Sequence, residues 1–268
     1  MKEEEDYINI NRTSWNLKTE AHYQSEFYDM EGFLNGNSSL NTLDLEILGS
    51  LAGKSVLHLQ CHFGQDTISL ERLGASVTGV DLSEVAIAKA KALAASLNSK
   101  AKFIQCDLYD LPRHLNLEFD IVFTSYGTIG WLPDLHKWAQ IINSFLKPKG
   151  RLILIEFHPV VWMFNDSFDK LAYSYFNRGP IKETEKGTYA DREAEITLDY
   201  IMWNHNLGEV FSSVLANNMD IESFSEYDYS PYNIFDNMVE IEKKKYVISS
   251  LEEKLPMVYS LTARKRPN

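Results

Sequence analysis

Cysteine is scarce: Cys61 and Cys106 are the only two in 268 residues. At most one disulfide can form, so the framework of a small secreted scaffold is excluded. No stretch approaches the apolar length that a bilayer-spanning helix needs. The start, Met1-Lys-Glu-Glu-Glu-Asp6, is acidic and lacks the apolar segment of a secretory signal, and a soluble, cytoplasmic protein is the expectation. Basic residues are outnumbered, 26 Lys and Arg against 38 Asp and Glu, for a formal net charge of -12. Beyond the short Arg264-Lys-Arg266 there is no basic run, so a phosphate backbone is repelled and nucleic acid is not the expected partner. The dinucleotide fingerprint Gly-x-Gly-x-x-Gly is missing as well.

Aromatics, by contrast, are plentiful, with 14 Phe, 14 Tyr and 5 Trp in a chain that is 44% apolar. That composition supports a packed core, and the length suits one substantial domain with insertions. Residues 7–34 read as helical, with Trp15, Tyr23, Phe27 and Tyr28 on one face. A loop rich in Asn, Gly and Ser leads to a helix over Leu43 to Leu51, capped by Asn41 or Thr42 and ended by Gly53.

From Ser55 onward strand and helix alternate. The strands are Ser55–Leu59, Ser76–Val80, Ala101–Gln105, Phe119–Thr124 and Arg151–Phe157. The helices between them run Asp66–Leu73, Ser83–Ser96 (with Ser83 as N-cap) and Asp134–Leu146, and Pro148-Lys-Gly150 turns the chain into the fifth strand. Right-handed crossovers place helices on both faces, so the expected fold is α/β with a doubly wound, mostly parallel sheet. After Pro159 the rhythm breaks, and residues 160–195 read as an insertion or lid. A strand over Ala194–Trp203, a helix over Leu207–Asn217 and strands Asp220–Tyr227 and Pro256–Arg264 follow. This divides the chain into an N-terminal helical cap (1–52), a core (53–159), the insertion (160–195) and a C-terminal part (196–268).

The chain is organised around Leu57-His-Leu-Gln-Cys-His-Phe-Gly-Gln-Asp-Thr67. A strand runs into a tight turn with one glycine, Gly64, a helix follows, and the next strand ends on Asp81. In such units a ligand lies across the carboxyl ends of the strands. Asp81 is placed to accept two hydrogen bonds from a ribose, although capping the helix begun by Ser83 would also account for it. His58, Cys61 and His62 supply at most three metal ligands with no fourth nearby, so they read as packed or hydrogen-bonded residues and no metal is expected. Ser125-Tyr-Gly-Thr-Ile-Gly-Trp131 follows strand four. There Trp131 can wall a pocket or pack into the core. Glu156 and His158 leave strand five toward the same crevice; His158 is the best single candidate for a general base, although a surface or hydrogen-bonded histidine is the commoner case. Trp15, His22, Tyr23 and Tyr28 can form a lid, with further contacts from His205 and Tyr227-Asp-Tyr-Ser-Pro-Tyr-Asn233.

Together, Val56–Thr67, Asp81, Cys106-Asp107 and Lys147-Pro-Lys-Gly150 resemble the class I S-adenosylmethionine-dependent methyltransferases. The words HLQCHFGQDT, GVDLS, SYGTIGWLPDL and EFHP are similar to a bacterial branch of small methyltransferases with an altered first motif. The resemblance implies a seven-stranded sheet with an antiparallel final strand. It implies S-adenosylmethionine as cofactor and methyl transfer to a small molecule; the acidic charge and the lack of a long apolar stretch leave neither nucleic acid nor membrane as an expected partner. Cofactor contacts then fall on Trp15, Tyr23, Gln60, Cys61, Gly64, Asp66, Thr67, Asp81, Leu82, Asp107, Leu108 and Ser125, with His158 and Tyr126 as catalytic candidates. Gln60 and His62 stand where that family has glycines. Two rival readings remain, a nicotinamide-dependent oxidoreductase and a noncatalytic S-adenosylmethionine-binding regulatory protein.

Overall fold

The computed structural model describes residues 4–267, and Met1 to Glu3 of the acidic start lie outside the described residues. The first helix, α1, covers Glu4–Gln24. It does not run on to residue 34 as the aromatic spacing suggests. Ser25 is extended, Glu26–Tyr28 form one 3-10 turn, and Asp29 turns left-handed at φ 39°. The Asp29 side chain accepts the Gly32 N–H and so caps α2, Met30–Leu34. Side-chain spacing alone does not report such a backbone break. Helix α3, Thr42–Leu48, starts from a reciprocal capping box in which Asn41 Oδ1 accepts the Asp44 N–H and Asp44 Oδ2 accepts the Asn41 N–H. It stops at Gly49 (φ 61°), short of the expected Gly53.

The α/β rhythm follows as expected. Strand β1, Ser55–Leu59, leads to α4, Gln65–Arg72, then β2, Ser76–Asp81, and α5, Glu84–Ser96, whose first turn is capped by the Ser83 hydroxyl. Next come β3, Lys102–Gln105, the short α6, Leu111–His114, β4, Phe119–Ser125, α7, Leu135–Phe145, capped by Asp134, and β5, Leu146–Phe157. All neighbouring pairs among β1 to β5 are parallel. Alternate residues of each strand feed opposite faces of the sheet. Leu57, Leu152 and Leu154 pack toward α7, while Val56, Ile153 and Ile155 pack toward α3 and α4.

Beyond β5 the chain forms β6, Ile181–Lys186, β7, Thr197–Met202, α8, Leu207–Ala216, and β8, Met219–Tyr227. It then forms β9, Met238–Glu242, β10, Lys245–Ile248, and β11, Val258–Lys265. The main sheet has seven strands in the order β3-β2-β1-β4-β5-β11-β8, and β11 runs antiparallel to both its neighbours. This is the doubly wound sheet with one antiparallel strand. Two expectations need correction. Residues 160–195 contain β6, which alternates exposed and half-buried residues, and the strand expected at Ala194–Trp203 pairs with β6 outside the main sheet. The excursion therefore runs through Met202 instead of ending at 195. The β9–β10 hairpin was not expected either, because a two-stranded ribbon exposed on one side carries little apolar pattern. Among the described residues, no helix is long and apolar enough to cross a membrane.

This order fixes where a ligand can lie. The chain winds from β1 outward to β3 on one side and through β4 and β5 on the other. The switch point is the gap between the carboxyl ends of β1 and β4.

Candidate active site

At that gap the turn after β1 carries a backbone its side chains do not favour. Gln60, His62 and Gly64 all have positive φ, at 53°, 50° and 82°. A residue with a Cβ pays about 1–2 kcal/mol for that conformation, so the two positions that lack glycine still take glycine-like dihedrals. Several bonds hold them there. The Cys61 N–H donates to Val80 O at 2.9 Å, and the His62 N–H donates to Asp81 Oδ2 at 2.8 Å. Gln60 Nε2 donates to Thr128 O at 2.8 Å, and His62 Nε2 lies 3.0 Å from His22 Nδ1. At Gly64 a Cβ would come within 2.6 Å of the Phe103 ring, so there the small side chain and the positive φ are both required.

Asp81 ends β2. Its Oδ1 accepts the Ser83 N–H at 2.8 Å while Oδ2 accepts the His62 N–H, so one carboxylate ties the turn after β1 to the start of α5. Burial pushes its pKa up to about 6, and these amide donors pull the other way. Its side chain also lines the cavity, where a ligand hydroxyl can reach it. After β3, Asp107 Oδ1 accepts the Tyr109 N–H at 2.9 Å. Burial also raises its pKa.

The loop after β4 is built around a buried carboxylate. Glu156, 2% exposed, accepts the N–H groups of Gly127, Thr128 (2.7 Å), Ile129 (3.1 Å) and Phe157 (2.7 Å), and the Thr128 hydroxyl at 2.9 Å. A chain entering this loop through Tyr126 at φ 48° needs such an anchor. The Tyr126 hydroxyl donates to Asp44 Oδ1 at 2.8 Å, and burial, then the charge of Asp66, raises the Asp44 pKa to about 7.

These elements surround a cavity of about 620 Å³, within the range of small-molecule sites. Of the residues expected at the site, Trp15, Gln60, Cys61, Gly64, Asp66 and Asp81 line it, as do Leu82, Asp107, Leu108, Ser125 and Tyr126. Three do not. Tyr23 packs edge-on against Phe63 beneath Lys89. Thr67 is fully buried and its hydroxyl meets His58 Nδ1 at 2.8 Å. His158 points to the far side of β5, where Nε2 meets Glu226 Oε1 at 3.0 Å and Nδ1 accepts the Val160 N–H at 3.2 Å. Outward-pointing and inward-pointing residues alternate only while a strand stays regular, and His158 follows the last residue of β5. His58 is stacked on Phe123, and burial lowers its pKa to about 3. Among the described residues no group of three His, Cys, Asp or Glu is placed to hold a metal.

Trp131 lines the cavity and lies 5.3 Å from Trp15, ring centre to ring centre. From the C-terminal segment His205, Tyr232 and Asn233 reach the cavity, whereas His22 supports the wall from behind His62. Sequence reasoning missed Lys18, Glu185, Tyr189 and Tyr200. Lys18 Nζ is 3.1 Å from Glu185 Oε2, and the Tyr28 and Tyr189 hydroxyls lie 2.6 Å apart. Lys18 was within reach of a helical-wheel argument, since it shares the face of Trp15 and His22 at three- and four-residue steps. The partners on β6 and β7 were not, because nothing local links residues 18 and 185.

Residues 56–150 match the methyltransferase domain family. An uncharacterised methyltransferase of Synechocystis sp. is 34% identical over 134 residues, which is 49% of this chain and 60% of the relative. The chain thus spans less than two thirds of that relative's length. A crystal structure of a putative S-adenosylmethionine-dependent methyltransferase from Listeria monocytogenes superposes with a TM-score of 0.57 at 20% identity, covering 83% of this chain and 95% of the other. A DhpI–SAH complex has a TM-score of 0.56 at 15% identity over 98% of each chain. Residues 56–150 thus match a methyltransferase domain, and the fold is that of solved S-adenosylmethionine-dependent methyltransferases. The residues at the gap fit that cofactor: an acid ends β2, an acid follows β3, and the turn after β1 keeps the left-handed backbone.

Proposed function

We propose that the protein transfers a methyl group from S-adenosylmethionine to a small-molecule acceptor held in the same cavity. The observation that carries this reading is the shape of the turn after β1. Gln60 and His62 adopt glycine-like φ, and Asp81 fastens the turn through the His62 amide, so the glycine-poor motif still takes a left-handed backbone at both positions. In this reading Asp81 binds the ribose hydroxyls and Asp107 with Leu108 receives the adenine. Gln60, Cys61, Gly64, Asp66 and Ser125 face the methionine end, and Trp15 covers it.

The cofactor supplies a sulfonium that carries its own electrophilic methyl. The protein then needs mainly to align the acceptor and exclude water. Glu156 contributes by fixing the loop that carries Ser125 to Trp131, and aromatic residues from α1 and the insertion form part of the cavity wall. Tyr126 positions Asp44 and is not free to act as a base, because burial holds its pKa far above the ordinary value.

Isothermal calorimetry with S-adenosylmethionine and with NAD, together with mass-spectrometric detection of S-adenosylhomocysteine over an acceptor panel, tests the proposal. Binding of S-adenosylmethionine but not NAD, with turnover of at least one acceptor, is the expected result. Binding with no turnover of any acceptor would favour the noncatalytic alternative.

A further inference from the structure

One buried amine in the cavity wall has no role in the account above. Lys18 is 4% exposed and lines the cavity. Its Nζ stands 5.4 Å from the Trp15 ring, 5.5 Å from the Trp131 ring and 5.1 Å from the Tyr200 ring. Glu185 Oε2 lies 3.1 Å away. The position over the sheet follows from those contacts. Trp15 packs at 5.4 Å on His62, in the turn after β1, and Trp131 belongs to the loop after β4. An amine held beside both rings therefore borders the switch point between β1 and β4, where a ligand binds in such sheets.

We propose that Lys18, backed by Glu185, is the group that takes the acceptor's proton during methyl transfer. The inference rests on the function proposed above. As the acceptor heteroatom bonds to the methyl carbon, the carbon–sulfur bond breaks and its electron pair stays on sulfur. The proton lost by the heteroatom moves to Lys18 Nζ. The positive charge that leaves sulfur reappears as an ammonium, against the Glu185 carboxylate and three ring faces that stabilise a cation. The charge of the site is thus the same before and after the step.

The surroundings suit an amine that must alternate between neutral and charged. The titratable groups facing Nζ are Glu185 from β6, Tyr200 from β7, His22 from α1 and His62 from the turn after β1. Both imidazoles are held neutral by burial, with pKa values lowered to about 2 and about 3. Burial lowers the Lys18 pKa and Glu185 raises it in part, as expected of a lysine tuned for proton transfer. A sulfonium bound in the cavity that Lys18 lines would add a like charge and so drive Lys18 toward its neutral form.

That last step gives a test independent of the acceptor. Calorimetric titrations of S-adenosylmethionine between pH 7 and 10, in phosphate and in Tris, report the protons released on binding. Comparison with Lys18→Met and Lys18→Arg cancels the proton exchanged by the ligand's own amino group. The wild type is expected to release an additional fraction of a proton, passing through a maximum within that pH range, and both variants are expected to lack it. Lys18→Arg keeps a cation beside Glu185 and so preserves the fold, which thermal melting checks; its fixed charge is expected to weaken binding roughly tenfold or more. Equal proton release by wild type and variants at every pH overturns the role of Lys18. Absence of binding by the wild type instead overturns the methyltransferase reading and the inference with it.

Discussion

Replacing Glu156 by Gln tests the idea that a single carboxylate builds the loop after β4. In the native protein the two oxygens receive five donors: the amides of Gly127, Thr128, Ile129 and Phe157 and the Thr128 hydroxyl. The amide of Gln offers one oxygen and one NH2. Whichever way it is turned, at least two N–H groups face another donor. Each hydrogen bond to a charged group is worth about 1.5–3 kcal/mol, so the loss approaches 3–6 kcal/mol. Glu156 is deeply buried, and removing its charge relieves the desolvation that raises its pKa, so the net destabilisation comes to about 3 kcal/mol. For a protein of this size that lowers Tm by roughly 6–12 °C. Scanning calorimetry reads the shift directly. A Glu156→Gln protein melting within about 2 °C of the wild type would show that the loop is held by other contacts, and the reasoning would be wrong.

Asp81→Ala is expected to weaken S-adenosylmethionine binding by about 1–3 kcal/mol through loss of charge-assisted hydrogen bonds, and unchanged affinity in calorimetry would remove Asp81 from the ribose site. Gly64→Ala forces a Cβ to within 2.6 Å of the Phe103 ring at φ 82°, so urea denaturation is expected to show a loss of about 2 kcal/mol or more; a neutral effect would mean that Phe103 can move aside. His58 is buried and its pKa is depressed to about 3, so the stability tied to its neutral form is full above its unfolded value near 6.5 and is lost as pH falls toward 3. Relative to His58→Gln, the wild type should therefore lose about 1.4 kcal/mol per pH unit between pH 6 and 4, and parallel stability curves in urea titrations would show that His58 is protonated in the fold.

Some of this protein is local in the sequence and some is not. The order of β1 to β5 was legible because each strand is a short apolar run between helix caps such as Ser83 and Asp134, and right-handed crossovers leave few ways to stack them. The positions of Gly64 and Asp81 were legible for the same reason, since they depend on the end of one strand and the turn after it. The strand at 194–203 was recognised but not its partner, because β6 and β7 bury only one side and their pairing depends on contacts with α1. His158 looked like a base beside the crevice, yet where the chain leaves β5 decides its direction, and Glu226 on β8 claims it.

The sequence by itself determined the sheet, the turn and the acids at the strand ends, because these follow from period, caps and connection rules acting over a few residues. Only the tertiary structure decided that Gln60 and His62 bend as glycines do. That conformation is enforced by Asp81, Thr128 and His22, residues distant along the chain. It alone also brought Lys18 and Glu185 together over the gap, since a pairing between residues 167 positions apart leaves no trace in local pattern.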